Sequence, residues 1–86
     1  MNYSVVVDVT LREGIADPEG ATIERALPAL GFSGVFDVKA GKSFRMTVDA
    51  ESEHAALERA TALAERLLSN PVIEDATARV AGMLAS

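Results

Sequence analysis

The first predicted element is a strand, because apolar and polar side chains alternate near the start of the chain. Tyr3, Val5, Val7 and Val9 share one side, with polar residues at most of the positions between them. A period of two is typical of a strand with one buried face. Val6 breaks the alternation, so we expect one apolar side chain on the opposite face.

The next segment changes to helical spacing. Asp17 is placed to accept a hydrogen bond from a free helix amide, and Pro18 suits the first helical position. Apolar residues then recur on one face at Ile23, Ala26, Leu27 and Leu30. Pro28 lacks an amide and should bend or tighten the last turn. Gly31 is expected to end this helix in a left-handed conformation.

The middle of the chain predicts a β-hairpin. Side chains alternate from Val35 to Ala40 and again from Ser43 to Asp49. Gly41 and Lys42 lie between the two runs, and glycine tolerates the positive φ that tight hairpin turns require. We therefore expect two adjacent strands with this pair at the tip.

A second helix and a last strand complete the predicted order. Ser52 suits the N-cap position, and an apolar stripe follows at helical spacing at Leu57, Ala60, Leu63, Ala64, Leu67 and Leu68. Asn70 should end this helix, because the residue before a proline is pushed out of the helical region. The last strand is predicted from about Glu74 to Val80, with a loose tail over residues 82–86.

The order β-α-β-β-α-β predicts an α+β fold in a single domain spanning residues 1–86. We expect a two-layer sandwich in which a four-stranded antiparallel sheet carries both helices on one face. The other face would stay open, with Val6 and Val35 as apolar positions on it. A second copy would cover such a face, so a homodimer or a dimer of dimers is predicted.

Composition narrows the possible functions. The net charge of -5 opposes binding to phosphate backbones and anionic lipid headgroups, which disfavours nucleic acid and membrane as partners. The chain has no cysteine, which removes disulfides, thiolate nucleophiles and cysteine-ligated metal. No apolar run approaches the roughly 18 residues of a membrane span, and no basic and apolar leader opens the sequence. A cytoplasmic location is therefore predicted.

Residues with catalytic chemistry are scarce. His54 is the single histidine and lies at the start of the second predicted helix, without a neighbouring nucleophile. Four acidic residues around the first connection lack the spacing of a calcium loop, and capping and solvation explain them more simply. The GKS tripeptide at 41–43 lacks the upstream glycine and the helix of a phosphate-binding loop. We therefore predict no catalytic, cofactor-binding or metal-binding residue in this chain.

Four of the eight basic residues are Arg12, Lys39, Lys42 and Arg45, and the predicted hairpin would bring the last three close together. Such a patch would suit an acidic partner. A solvated strand face, with salt bridges to Asp37, is the commoner meaning of charges in this pattern.

Three short motifs, in this order and spacing, carry a resemblance to a known family. They are LREGIADPEG (residues 11–20), GK (41–42) and NPVIED (70–75). The chain resembles the PurS family, the small subunit of phosphoribosylformylglycinamidine synthase, over nearly its whole length. Glu19 departs from the family pattern, which usually has glutamine there. We expect loop residues of these motifs to contact partners, namely Arg12, Asp17, Gly41, Lys42, Asn70, Pro71 and Glu74.

The resemblance implies a role in purine biosynthesis. The enzyme of this family converts formylglycinamide ribonucleotide, glutamine and ATP into formylglycinamidine ribonucleotide, glutamate, ADP and phosphate. The implied partners are PurQ, which releases ammonia from glutamine, and PurL, which uses ATP and magnesium. The chain itself would hold no cofactor and would bridge the two subunits for assembly and ammonia transfer.

Two other functional classes share this order of elements. An ACT-like regulatory domain would bind a small ligand such as an amino acid at the first connection and an interchain cleft. An RRM-like module would bind RNA, but it would need exposed aromatic side chains on its central strands. Phe36 and Phe44 are expected to face inward, and the acidic composition also opposes RNA. An amino-acid titration tests the first alternative, and a pull-down from lysate tests both.

Overall fold

The centre of the fold is β1 (Asn2–Leu11), which pairs antiparallel with β2 (Gly41–Asp49) on one side and β3 (Glu74–Leu84) on the other. The computed structural model describes residues 1–84, and residues 85–86 lie outside the described residues. Val7 lies between Phe44 of β2 and Ala78 of β3 in this register. Residues 82–84 of the predicted loose tail therefore belong to a strand.

The helices are α1 (Pro18–Ala26) and α2 (Glu53–Leu63), together with a 3-10 turn (Pro28–Leu30) and a π-helical continuation of α2 (Ala64–Leu68). None of the helices in residues 1–84 has the length and apolar character needed to cross a membrane.

Local signals placed the helix ends correctly. The hydroxyl of Ser52 accepts a hydrogen bond from the amide of Ala55 at 3.1 Å, which confirms the predicted N-cap of α2. The 3-10 turn that begins at Pro28 confirms the tightened last turn of the first helix. Gly31 follows with a φ of 89°, the left-handed conformation expected of a helix-ending glycine.

The core lies between the sheet and α2. Its buried residues alternate along β1 and recur at every fourth position of the second helix, namely Tyr3, Val5, Val7, Val9, Ala56, Ala60 and Ala64. The three alanines allow the helix backbone to approach β1 closely, as dense packing requires. Leu63 and Leu67 were predicted in the same apolar stripe, but they are 38% and 74% exposed. That part of the prediction is wrong, because the inward row of the helix consists of small residues.

The predicted four-stranded sheet is wrong: the sheet has three strands, because the segment Val35 to Ala40 forms no strand. Gly34 has a φ of 82° and Asp37 a φ of 57°. Both values lie in the left-handed region, so the chain cannot stay extended through this segment despite its alternating side chains. Gly41 and Lys42 consequently begin β2 and do not form the tip of a hairpin.

Backbone amides of the same segment bond to carboxylates and not to a neighbouring strand. The amide of Val38 donates to Glu24 Oε1 at 2.9 Å, and the amide of Ala40 donates to Asp17 Oδ2 at 2.9 Å. The two amides therefore have acceptors without pairing to a neighbouring β-strand. The segment is thereby tied back to α1.

Residues 18–40, here called the arm, extend away from the sheet. Gly20 is the only buried residue of the arm, so α1 does not cover the sheet beside α2 as predicted. The molecule measures 49 × 29 × 14 Å, with a radius of gyration of 16.3 Å. A compact chain of this length would have a radius of gyration of about 12 Å. The arm carries large apolar side chains that are 45–73% exposed, namely Ile23, Leu30, Phe32, Val35 and Phe36.

The face of the sheet opposite α2, here called the open face, is polar and not apolar as predicted. Val6 lies on it, yet only 1% of its surface is exposed. Its cross-strand neighbours are Arg45 on β2 and Arg79 on β3. The aliphatic stems of long basic side chains cover apolar surface while their charged ends stay in water. Val35, the other predicted position, lies in the arm.

Candidate functional site

All seven predicted contact residues come together at one end of the sheet. β1 ends at Leu11, where antiparallel pairing brings the first residues of β2 and β3 alongside it. Thr10 pairs with both Gly41 and Asp75, and Leu11 pairs with Glu74. Three segments that are far apart in the sequence therefore form one surface. We call it the sheet-end surface, and its residues are Arg12, Asp17, Gly41, Lys42, Asn70, Pro71 and Glu74.

The Asp17 carboxylate connects the two ends of the arm by hydrogen bonds. Its Oδ1 accepts the amide of Gly20 at 2.9 Å, which caps α1, and its Oδ2 accepts the amide of Ala40 at 2.9 Å. A β-carbon at Gly20 would overlap the carbonyl oxygen of Val38, so only glycine allows the two ends of the arm to meet this closely. The Asp-Pro-Glu-Gly motif thus joins the two ends of the arm.

The same two bonds hold the pKa of the Asp17 carboxyl below its ordinary value of 3.8. The amide of Gly20 makes the largest contribution, followed by the amide of Ala40, while partial burial acts in the opposite direction. Lys39 also lowers this pKa through its charge. A carboxylate that accepts backbone hydrogen bonds is favoured in its ionised form.

Asp17→Ala is expected to loosen the arm at neutral pH, because both amides lose their acceptor. In the native chain the folded pKa is depressed, so the stabilisation is present above the ordinary value and disappears as the pH falls through the lower folded pKa. The NMR shifts of the Gly20 and Ala40 amides should therefore step at a midpoint below 3.8. Glu13→Ala, which removes an exposed carboxylate nearby, should leave this step unchanged. A midpoint at or above 3.8 would contradict the assignment.

Arg12 fastens the first connection to the start of β3. Its amide donates to the carbonyl oxygen of Ile73 at 2.8 Å, and its Nε donates to the carbonyl oxygen of Glu74 at 3.3 Å. The Nε also lies 3.5 Å from Asp75 Oδ1, although both side chains are about half exposed or more. The ion pair is therefore a weak contributor to stability, and the backbone contacts set the position of this arginine.

The Asn-Pro-Val-Ile-Glu motif closes its own turn. The carbonyl oxygen of Asn70 accepts the amides of Ile73 and Glu74 at 3.1 and 2.8 Å. The Asn70 side-chain oxygen accepts the amide of Val72 at 3.1 Å, and Glu74 Oε1 accepts the amide of Asn70 at 2.7 Å. Pro71 and Val72 are left at the exposed tip of this rigid turn.

Gly41 is needed for close approach and not for a turn. A β-carbon there would lie 2.6 Å from the carbonyl oxygen of Val9 on the neighbouring strand, which is too close for any other residue. Lys42 follows at the exposed edge, on the face of the sheet that α2 covers. Arg45 lies on the open face, because side chains alternate along a strand. The predicted basic patch of Lys39, Lys42 and Arg45 is therefore not formed.

Two of the shallow grooves at the sheet-end surface share a lining residue. One has a volume of about 260 Å³ and includes Asp17, Glu19 and Lys42 in its lining. The other has a volume of about 220 Å³ and includes Arg12 and Pro71. Glu74 lines both grooves and so joins them into one surface. Fixed polar groups of both charges, beside an exposed valine, are the features of a protein contact with a polar rim.

The titratable side chains in the larger of these two grooves are Asp17, Glu19, Lys42 and Glu74, and the chain's histidine lies elsewhere. His54 Nε2 lies 2.8 Å from Glu58 Oε1 in the first turns of α2, and both side chains are well exposed. Within residues 1–84, no three histidine or acidic side chains are grouped so that they would hold a metal ion.

Glu24, Ile73 and Asp75 support the site, but sequence reasoning did not select them for it. Glu24 binds the amide of Val38, while Ile73 and Asp75 contact Arg12. Ile73 and Asp75 belong to the NPVIED motif, which was itself predicted to contact partners. Glu24 has no such signal, because its partner lies fourteen residues away in an irregular segment.

Comparison with known proteins matches nearly the whole chain. A family model for PurS, described as phosphoribosylformylglycinamidine (FGAM) synthase, matches residues 4–82. The phosphoribosylformylglycinamidine synthase subunit PurS of Mycobacterium leprae is 44% identical over 72 residues, which are 84% of this chain and 87% of that protein. The subunit of the same name from Methanocaldococcus jannaschii is 38% identical over 73 residues, which are 85% and 88% of the two proteins.

Solved structures agree with the sequence comparison. The crystal structure of the PurS subunit from Thermotoga maritima has a TM-score of 0.85 and 35% identity, and it covers 93% of this chain and 92% of that chain. A chain in the structure of PurLQS from the same organism has a TM-score of 0.84 and 35% identity, with coverage of 93% and 98%.

Proposed function

The chain belongs to the PurS family of phosphoribosylformylglycinamidine (FGAM) synthase, and we propose that it bridges the synthetase and glutaminase subunits of that enzyme. It is a subunit of FGAM synthase and acts in purine biosynthesis. The reaction joins nitrogen from glutamine to formylglycinamide ribonucleotide at the expense of ATP. The subunit contributes contacts and not catalytic groups.

PurL and PurQ are the partners of this chain, by analogy with the PurLQS complex of the Thermotoga relative. A bridge acts by holding two active sites at a fixed distance, which raises the effective concentration of the transferred intermediate. Ammonia released by the glutaminase would then reach the synthetase before it escapes into bulk water. The surface of this chain would line part of the path along which ammonia passes between the two subunits.

The observation that carries this proposal is the convergence of the three motifs on the sheet-end surface. The first and third motifs are held by hydrogen bonds at 2.7–3.3 Å, and the GK motif is paired with β1, so the surface is rigid before any partner binds. A preorganised surface loses little conformational entropy on association. The exposed tip at Pro71 and Val72 would contact a partner first.

Cofactors are assigned to other subunits in this proposal. ATP and magnesium would bind to PurL, and the glutaminase nucleophile would belong to PurQ. A cytoplasmic location fits an enzyme of nucleotide biosynthesis and is part of the proposal.

We also propose that the chain forms a homodimer or a dimer of dimers through its arm. Five large apolar side chains of the arm are exposed, and Phe36 is 73% exposed. Contiguous exposed apolar surface is typical of an interface between chains. A second copy would cover this surface and compensate for the few contacts that the arm makes within its own chain.

Lys42→Glu is expected to lower glutamine-dependent turnover of the complex roughly tenfold, equivalent to about 1.4 kcal/mol. The charge reversal places a fourth acidic group beside Asp17, Glu19 and Glu74, and it should weaken docking at the sheet-end surface. Turnover with added free ammonia should fall much less, because ammonia from solution bypasses transfer between subunits. Steady-state rates with each nitrogen source measure the difference.

Arg59→Glu provides the matched control. Arg59 is exposed at the other end of the sheet, where it donates to the carbonyl oxygen of Asp49 at 3.1 Å. The same charge reversal there should leave turnover with both nitrogen sources nearly unchanged. Folding of both variants should change by no more than about 0.5 kcal/mol. Normal assembly and full glutamine-dependent turnover of Lys42→Glu would show that this lysine is not a contact residue.

A further inference from the structure

The open face carries two arginines whose charged ends have no partner in the described chain. Arg45 and Arg79 lie directly opposite Val6 on the two outer strands. Their α-carbons are therefore about 10 Å apart, which is two strand spacings. Among residues 1–84, Arg12, Arg25 and Arg59 all donate hydrogen bonds, whereas this pair has neither hydrogen bond nor ion pair.

The surroundings of this arginine pair are polar and small. One neighbouring row across the sheet consists of Ser4 and Thr47, and the other consists of Asp8, Ser43 and Thr77. Asp8 is half-buried and makes no ion pair with either arginine. Apart from Val6, which is already covered, the centre of this face offers no apolar side chain. Any partner here would be held by charge and hydrogen bonds and not by apolar burial.

We propose that the open face docks an acidic segment of another subunit of the synthase through Arg45 and Arg79. Guanidinium groups bind carboxylates in a planar, two-bonded arrangement, and two of them on one face would hold two acidic side chains of a single segment. The proposal rests on the bridging function proposed above. A bridge needs two separate contact surfaces, and the sheet-end surface provides the other.

Charge decides between the possible occupants. The chain has a net charge of -5, so an anionic polymer such as nucleic acid would be repelled over most of its surface. A second copy that packed about a two-fold axis through this face would bring the same arginine row against itself, and like charges in contact are unfavourable. A short acidic protein segment meets the two arginines without either penalty.

The test compares two double variants with equal charge. Arg45→Gln with Arg79→Gln removes the charges and keeps stems that cover Val6. Arg59→Gln with Arg66→Gln removes the same charge from exposed helical positions outside the arm. Binding of each to the purified large and glutaminase subunits is measured separately by biolayer interferometry at low salt. The first variant should bind one of the two subunits roughly tenfold more weakly, and the second should bind within about twofold of the native chain.

Salt dependence tests the same contact in the native chain. Affinity for that subunit should fall as salt is raised to about 0.5 M, because exposed charges are screened there. A flat response would overturn the proposal, even if the glutamine variant failed to fold. Equal weakening of both double variants would also overturn it, since general charge would then explain the effect.

Two further outcomes separate this inference from the proposed function. If the Arg45 and Arg79 variant loses the homo-oligomer in light scattering, the face is covered by a second copy and the inference is wrong. If the native chain binds neither subunit at any salt concentration, the bridging function itself fails. If the native chain binds both and the arginine variant binds equally well, only the inference fails.

Discussion

Phe36→Asp is expected to convert the protein from an oligomer to a monomer of 9.0 kDa at micromolar concentration. The Phe36 side chain is 73% exposed in the single chain and belongs to the apolar surface of the arm. Burial of a phenylalanine contributes about 1.5–3 kcal/mol, and an unpaired carboxylate at the same place opposes association further. The dissociation constant should rise by about two orders of magnitude or more. Sedimentation velocity measures the mass directly.

Val72→Asp is the matched control for this substitution. Val72 is 81% exposed and apolar, but it lies at the tip of the Asn70 turn and not in the arm. The oligomer should survive this change, while contacts at the sheet end should weaken. An oligomer that resists Phe36→Asp, or a native chain that is already monomeric, would contradict the proposed role of the arm.

The second large effect concerns the centre of the core. Val7→Ala should lower the free energy of unfolding by about 2–3 kcal/mol, from lost burial and from the cavity left behind. Val7 has no exposed surface and lies in the core cluster with the alanines of α2. A domain of this size loses about 4–8 °C of melting temperature per kcal/mol, so the expected decrease is about 10–20 °C.

Scanning calorimetry at fixed protein concentration measures this change, because oligomerisation couples melting temperature to concentration. Val72→Ala is the control and should shift stability by no more than about 0.5 kcal/mol, since its side chain is mostly exposed. Leu63→Ala should also have a small effect, although the apolar stripe predicted it as a core residue. A decrease for Leu63→Ala as large as for Val7→Ala would contradict the packing of α2 described above.

For the candidate site, the sequence motifs predicted which residues belong to it but not that these residues lie close together. The resemblance selected Arg12, Lys42 and Asn70 from three different connections, but it said nothing about their proximity. Pairing of β1 with both other strands brings these connections to one end of the sheet. Whether they contact partner subunits stays a prediction. The arginine pair was not found from the sequence, because residues 45 and 79 become neighbours only through the register of β2 and β3 on β1.

Local chemistry was enough to place most of the element ends. Several element ends depend on contacts within a few residues. They are the Asp17 and Ser52 caps, the tightened turn at Pro28 and the start of the last strand near Glu74. Such contacts are encoded by neighbouring residues, so the pattern along the chain predicts them.

Long-range contacts decided the rest. The alternation from Val35 to Ala40 predicts a strand equally well whether or not another strand lies beside it, and here the amides bond to carboxylates from α1 and its cap. Burial likewise depends on tertiary surroundings: Leu63 fits an apolar stripe but is 38% exposed, while Val6, between Arg45 and Arg79, is 1% exposed. Periodicity along the chain contains no information about these distant partners, because strand pairing, register and the position of the arm exist only in the folded molecule.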